Sequence, residues 1–172
     1  MDKLMKLGIA LALAGGLAVP ALAQNSATTA SPTQGSATIV APITLTENST
    51  LRFGSMVKPT NDNTNTITVG TGTCATAITG TGNGALVSST SGCATYTAGG
   101  ESGQAFSISN PATFNLSNGN GGTITVNLTR SANSGTIGQS SADFKVGGNF
   151  NIDKNTPSGA YTGEFAVTVT YQ

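Results

Sequence analysis

Histidine and tryptophan are absent from this chain of 172 residues, and charged side chains make up only 8% of it. Without histidine, the chain lacks the side chain that most often acts as a general base or a zinc ligand. The acids Glu101, Asp143, Asp153 and Glu164 are scattered without a motif. Asp62, between two asparagines, lacks the later acidic ligands of a calcium loop. We therefore expect no enzyme and no metal or other cofactor.

Positive charge is also scarce. The chain has seven basic and seven acidic residues. Removing Asp2, Lys3 and Lys6 leaves five basic and six acidic residues. Nucleic acids and anionic membranes are bound through clusters of lysine and arginine, and no such cluster occurs in the sequence. The glycine-rich runs at 70–84, 98–103 and 117–122 precede no predicted helix, which argues against a phosphate site. We expect no nucleic-acid partner.

Long apolar runs are missing except at the start of the chain. Residues 7–19 are uncharged, follow Lys3 and Lys6, and precede the small residues Ala21 and Ala23. The run is shorter than the roughly 20 residues that a membrane-spanning helix needs, so the pattern predicts a signal peptide at 1–23. We expect a flexible polar extension at 24–36 and a single domain at 37–172. The protein is then exported through the periplasm to the cell surface or secreted.

Cys74 and Cys93 are the only cysteines. In an exported chain an even number of cysteines predicts a disulfide. Closing a loop of roughly 20 residues stabilises the fold by about 3 kcal/mol in the loop-entropy model. A redox or metal role would need a C-x-x-C motif or histidine, and the sequence has neither.

Alternating apolar and polar residues predict an all-β domain, because a two-residue period places the apolar groups on one face of a strand. The Asn-Gly steps at 117–122 predict a hairpin. Gly147 and Gly148 predict a bulge or a close approach of another backbone. We also predict a turn at 47–49 and a new strand from Leu51. Eight large side chains should point into an antiparallel sandwich: Phe106, Phe114, Ile124, Val126, Phe144, Phe150, Phe165 and Val167.

The last strand shows the clearest pattern. Phe165, Val167, Val169 and Tyr171 alternate with small or polar residues, Tyr171 is penultimate, and Gly159 stands fourteenth from the C-terminus. These features resemble the last strand of chaperone–usher fimbrial subunits. Together with the alternating segment 37–45 and the L-x-F-G step at 51–54, they make the chain similar to the spore coat protein U-like group and to a related family of secreted pilin-like bacterial domains. Residues 58–100 have no match in this resemblance.

The resemblance implies an Ig-like antiparallel β-sandwich whose incomplete sheet is completed by a donor strand. The groove beside Gly159 and the alternating residues would bind a periplasmic chaperone, and then, at an outer-membrane usher, a strand from a neighbouring copy or a related subunit. The protein would be a structural subunit of a fimbria or pilus. The alternative is a monomeric secreted β-sandwich that binds a glycan, ice or another surface ligand through its threonine-rich strands.

Two segments are candidates for the donor strand. Ile39, Ala41, Ile43 and Leu45 form the only strongly apolar alternating set among residues 24–49, which favours 37–45. The alternative keeps 37–45 as the first strand of the domain and uses the polar segment 24–36. Pro42 suits either arrangement, because proline is tolerated in edge strands.

Overall fold

The computed structural model describes residues 34–88, 90–139 and 141–172. The chain divides into two compact units, Met1–Ala37 and Thr38–Gln172. The predicted signal peptide lies outside the described residues, as does the predicted extension up to residue 33. Residues 34–37 are exposed and form no strand.

The described part of the chain consists of β-strands and contains no helix, which confirms the all-β prediction. It therefore also contains no helix long and apolar enough to cross a membrane. The twelve strands are β1 (Thr44–Ser49), β2 (Ser55–Val57), β3 (Asn65–Val69), β4 (Thr76–Gly80), β5 (Ala85–Ser88), β6 (Ala94–Gly99), β7 (Ala105–Ser109), β8 (Thr113–Ser117), β9 (Thr123–Arg130), β10 (Ser134–Thr136), β11 (Ser141–Ile152) and β12 (Thr168–Tyr171).

All strand pairs are antiparallel, as predicted for a β-sandwich. The largest sheet has seven strands in the order β1-β6-β11-β3-β4, with β9 also pairing β11 and β8 pairing β9. Strand β11 has 12 residues, so it pairs β6 along its first half and β3 along its second, with β9 on its other edge. A second sheet has the order β10-β7-β12, and β2 pairs β5. The bridge between Ser117 and Thr162 joins the C-terminal segment to the large sheet.

Gly147 and Gly148 lie at the centre of β11, where strands press on it from both sides. A Cβ atom on Gly147 would collide with the carbonyl oxygen of Val69, and one on Gly148 would lie 2.8 Å from the carbonyl oxygen of Asn127. Glycine is therefore required for the close backbone approach that the sequence predicted as one of two options.

Two clusters of buried side chains form the core. The first contains Phe53, Ile67, Val69, Cys93, Ile124, Val126, Phe150 and Ile152, and the second contains Ala94, Tyr96, Ala98, Phe106, Ile108, Ile137, Phe144 and Val146. Leu51 and Leu128 pack against both clusters. Of the eight side chains predicted to point inward, five are buried. Phe114, Phe165 and Val167 are only half-buried, although they pack against these clusters.

The structure corrects the predicted turn at 47–49. Strand β1 continues to Ser49, with a register shift between Glu47 and Ser49, and the Asn48 side chain donates a hydrogen bond to the Thr97 hydroxyl across the strands. The new strand does not begin at Leu51. Arg52 makes a single bridge to Gly92, and β2 begins only at Ser55.

The predicted disulfide and hairpin are both present. Cys74 and Cys93 are bonded, with their Cα atoms 4.8 Å apart. The Asn-Gly-rich turn joins β8 to β9, where the Asn118 side-chain oxygen accepts hydrogen bonds from the backbone N–H groups of Asn120 and Gly122. An asparagine side chain often organises a tight turn in this way.

Candidate binding cleft

The C-terminal segment shows the alternation that the sequence predicted, but its inward side chains are incompletely covered. Phe165, Val167, Val169 and Tyr171 are half-buried, and the residues between them are exposed. Strand β12 pairs β7, and Thr162 pairs Ser117, whereas residues 163–167 are not part of a strand.

A cleft of about 960 Å³ lies beside this segment. One wall is formed by residues 50–56 and Lys58, which lead from β1 into β2, and the other by residues 156–165. Its floor belongs to the core and is largely apolar: Tyr96, Phe114, Leu116, Ile124, Phe150 and Ile152. The cleft therefore lies over the first core cluster, whose floor side chains Ile124, Phe150 and Ile152 keep at most 9% of their surface in solvent.

Aromatic side chains line the cleft from floor to wall. Phe53 meets Phe150 edge to face with ring centroids 4.8 Å apart, and Phe114 packs against Phe165 at 4.9 Å. Burial raises the pKa of the Tyr96 hydroxyl, and the nearby Glu47 carboxylate raises it further. This tyrosine therefore stays neutral, and the charged side chains that line the cleft are Glu47, Arg52, Lys58 and Glu164.

Hydrogen bonds join the N-terminal and C-terminal sides at two ends: the first lies in the cleft lining, and the second lies beyond it, because Ala41, Glu101 and Tyr171 do not line the cleft. At one end, the Lys58 ammonium donates to the Thr156 carbonyl oxygen at 2.9 Å. At the other, the Tyr171 hydroxyl donates to the Ala41 carbonyl oxygen at 2.9 Å and accepts from the Glu101 N–H at 2.8 Å. Residue 58 is bonded to residue 156 and residue 41 to residue 171, so the N-terminal and C-terminal sides run antiparallel.

Gly159 lies in the turn that leads into the C-terminal segment. Its φ of 150° is positive, and an added Cβ would lie 3.3 Å from the Cβ of Asn118. The Tyr161 hydroxyl donates a hydrogen bond to the Pro157 carbonyl oxygen, 2.8 Å away. This turn positions one wall of the cleft and favours glycine at 159.

Asp153 caps the end of β11 immediately before this wall. Its carboxylate accepts hydrogen bonds from the Thr156 hydroxyl, the Thr156 N–H and the Asn155 N–H at 2.8–2.9 Å. The Thr156 hydroxyl contributes most to lowering the pKa of Asp153, and the backbone N–H groups lower it further. The Asp153 carboxylate therefore stabilises the turn at residues 153–156.

The structure places the candidate donor residues in two different environments. Ile43 and Leu45 are half-buried and pack against the second core cluster, and Leu45 lies in β1, which pairs β6. Ile39 is 95% exposed, and Ala41 is exposed and precedes the first strand. The donor role of the set stays a prediction, but its members do not share one environment in the single chain.

Sequence reasoning missed the wall formed by residues 50–56 and Lys58, and the role of Lys58. No local pattern marks a lysine that bonds a carbonyl 98 residues away. Asp62, considered for calcium, forms an ion pair with Lys154. Within the described residues, no three His, Cys, Asp or Glu side chains are grouped so that they could hold a metal ion.

Comparison with known families gives one match. The model of the domain of unknown function DUF4402 matches residues 43–171, which include every strand and both sides of the cleft. No curated protein and no solved structure matches the chain.

Proposed function

The chain belongs to the DUF4402 family, and from the open cleft of its domain we propose that it is a structural subunit of a bacterial fimbria that polymerises by strand addition. The observation that carries the proposal is the cleft between residues 50–56 with Lys58 and residues 156–165, with a largely apolar floor and Phe165, the first of the alternating residues, in one wall. A single extended segment from another subunit would fill it.

An added strand matches the cleft in both its backbone and its side chains. Residues 163–167 lie outside any strand between two paired regions, and in this proposal their backbone would pair with the added strand. Alternate side chains of the added strand would then point at the apolar floor. This recognition needs only an alternating apolar segment, which a second copy of the chain can supply.

Burial of the exposed apolar surface supplies the driving force. Phe165, Val167, Val169 and Tyr171 are already half-buried. Of these four, Phe165 lines the cleft, and covering the rest of it would contribute roughly half of the 1.5–3 kcal/mol of full burial. The side chains of the added strand and the new backbone hydrogen bonds add to this. This gain supports a durable polymer.

An open apolar cleft is a hazard during export, because unpaired strand edges and apolar patches promote aggregation. The proposal therefore includes a periplasmic chaperone that covers the cleft and an outer-membrane usher at which a neighbouring subunit replaces it. The assembled protein then lies at the cell surface as part of a fimbria.

A second candidate function, a secreted module that binds a glycan or ice, is favoured by the outer face of the large sheet. Threonine and asparagine side chains bond across its strands: Thr66 to Asn151, Thr125 to Asn115, and Asn127 to Asn149, at 2.8–3.3 Å. These side chains are exposed or half-buried and form a polar surface on the sheet. Their mutual bonds use part of the hydrogen-bonding capacity that a glycan would need, so we rank this function second.

Polymerisation distinguishes a fimbrial subunit from a monomeric secreted binding module. The purified protein should give SDS-resistant ladders that disappear on boiling, and filaments sheared from the producing cells should contain the chain by electron microscopy and mass spectrometry. A single monomer band under all conditions, without filaments, would refute the subunit function.

A matched pair of variants tests whether the cleft is the site. Phe165→Asp places a carboxylate beside the apolar cleft, whereas Ala166→Asp places it on the exposed face of the same segment. We expect ladders from Ala166→Asp and none from Phe165→Asp, with both variants folded by circular dichroism. Equal ladders from both would show that the cleft is not used.

A further inference from the structure

We propose that Asn120 is a site of spontaneous modification, which converts to aspartate and isoaspartate in the folded protein. Two other asparagines also precede a glycine, Asn83 and Asn118, and the fold keeps both of them intact. The reaction needs only water, so the proposal goes beyond strand addition and does not depend on it.

An asparagine followed by glycine can react with its own backbone, because glycine has no side chain that keeps the reacting groups apart. The backbone nitrogen of Gly121 attacks Cγ of Asn120 and forms a C–N bond. The nitrogen gives up its proton, and the side-chain amide leaves as ammonia. Water then opens the five-membered imide at one of its two carbonyls, which leaves aspartate or isoaspartate.

Asn83 is held on both sides of the bond that would have to form. Its side-chain oxygen accepts hydrogen bonds from the N–H groups of Thr60 and Asn61 at 2.8 and 3.4 Å, and its side-chain nitrogen donates to the Thr60 hydroxyl. The Gly84 N–H, which carries the attacking nitrogen, donates to the side-chain oxygen of Asn65 at 2.9 Å. Both reacting groups are therefore engaged at this step.

Asn118 is held within the turn between β8 and β9. Its side-chain oxygen accepts hydrogen bonds from the N–H groups of Asn120 and Gly122 at 2.9 and 2.8 Å. The Gly119 N–H, which would have to attack it, donates to the Ser117 hydroxyl at 3.2 Å. Attack on Asn118 therefore requires that the hydrogen bonds of the whole turn break first.

Asn120 and Gly121 differ from both of these pairs. Each is exposed, and across the part of the chain that the structure describes neither the Asn120 side chain nor the Gly121 N–H makes a hydrogen bond. Gly121 has a φ of 86°, and a Cβ atom built there would have nothing within 4 Å. The amide and the attacking nitrogen can therefore approach each other without breaking any contact of the fold.

The product carries a charge where the domain has none. Residues 102–129 contain no charged side chain, and they include all of β8 and all of β9 except Arg130. Conversion of Asn120 places a carboxylate at the tip of this hairpin. Because the position is exposed, water solvates the new charge, and we expect the fold to keep its stability.

Peptide mapping of the aged protein tests the selectivity. The purified full chain is incubated in mildly alkaline buffer made with isotopically labelled water, and tandem mass spectrometry measures the modified fraction at each asparagine. Asn120 should react about tenfold faster or more than Asn83 and Asn118, because hydrogen bonds must break first at those two. Each modified Asn120 should contain one labelled oxygen from the opening of the imide.

The unfolded chain is the control for the role of the structure. In urea with the disulfide reduced, all three asparagines lose their hydrogen bonds and should react at similar rates. Equal rates at the three positions in the folded protein would overturn the proposal. Survival of Asn120 in the folded protein, while it reacts in the unfolded chain, would overturn it as well.

A matched pair of variants locates the charge. Asn120→Gln lengthens the side chain so that a five-membered imide no longer forms, and the acidic band that accumulates on isoelectric focusing should disappear. Asn83→Gln makes the same change at a held asparagine and should retain the band. Asn120→Asp supplies the reference position of the band and should melt at the same temperature as the unchanged protein. Persistence of the band in Asn120→Gln, or its loss in Asn83→Gln, would overturn the assignment.

Discussion

Strand β11 and the C-terminal segment have the same alternating sequence pattern but are covered to very different degrees. The inward side chains of β11, such as Phe144, Val146 and Phe150, keep at most 4% of their surface in solvent. The equivalent residues of the C-terminal segment, such as Phe165 and Val167, are half-buried. Strand β11 has neighbours on both edges, whereas residues 163–167 border the cleft. Alternation thus tells which face of a strand points inward, and the neighbours decide how completely that face is covered.

The largest effect is expected in the closed region. Phe144 is 3% exposed and stacks on Tyr96 with ring centroids 5.3 Å apart. Phe144→Ala should lower the free energy of unfolding by about 3–5 kcal/mol, because it leaves a cavity in a packed cluster. Urea denaturation of the purified protein measures this. A loss below about 1 kcal/mol would mean that the region is no better packed than the cleft.

The disulfide should stabilise the whole domain and leave strand addition intact, because neither cysteine lines the cleft. It joins the segment before β4 to the segment before β6, and Cys93 is 2% exposed. Cys74→Ser or Cys93→Ser should each lower the free energy of unfolding by about 3 kcal/mol. Denaturation curves with and without a reducing agent measure this loss of stability. The unchanged protein with its disulfide reduced is the control. Ladders should persist in these variants at low temperature, and their complete loss in a folded variant would contradict the separation of the two regions.

Replacing the phenylalanine at the cleft by alanine should lower the free energy of unfolding by a smaller amount than Phe144→Ala. Phe165 is half-buried and packs against Phe114 across one side of the cleft. In the monomer, Phe165→Ala should lower the free energy of unfolding by about 1–2 kcal/mol, roughly half of the effect at Phe144. Paired denaturation curves of the two variants give the comparison. Equal losses at Phe144 and Phe165 would remove the contrast between the two regions.

The smallest effect is expected where the two regions meet, at Asp153. Hydrogen bonds from Thr156 and Asn155 lower its pKa below the usual 3.8 in the folded chain. The carboxylate therefore contributes stability above about pH 3.8, and this contribution is lost as the pH falls through the lowered value. Melting temperatures measured from about pH 5 downward should fall less steeply for Asp153→Asn than for the unchanged protein. Parallel curves would show that Asp153 is not linked to folding.

Much of the fold was predictable because its signals are local. The Asn-Gly steps mark the turn between β8 and β9, and the alternation of β11 identifies its inward face. The polar residues 47–49 misled the prediction, because β1 is an edge strand whose side chains are mostly exposed, and polarity there indicates solvent and not a turn. Strand β6 was hard to recognise because it buries the small side chains of Ala94 and Ala98.

The sequence by itself determined the all-β class, the inward face of the C-terminal segment and the pairing of its two cysteines. Each of these follows from a short period or from the number of one residue type. Only the tertiary structure decided that the C-terminal segment borders a cleft, and that the chain is held at Ala41. Those features depend on Lys58 meeting Thr156 and on Tyr171 meeting Ala41, across 98 and 130 residues of chain. Contacts at such separations follow from how the sheets pack, so no local pattern predicts them.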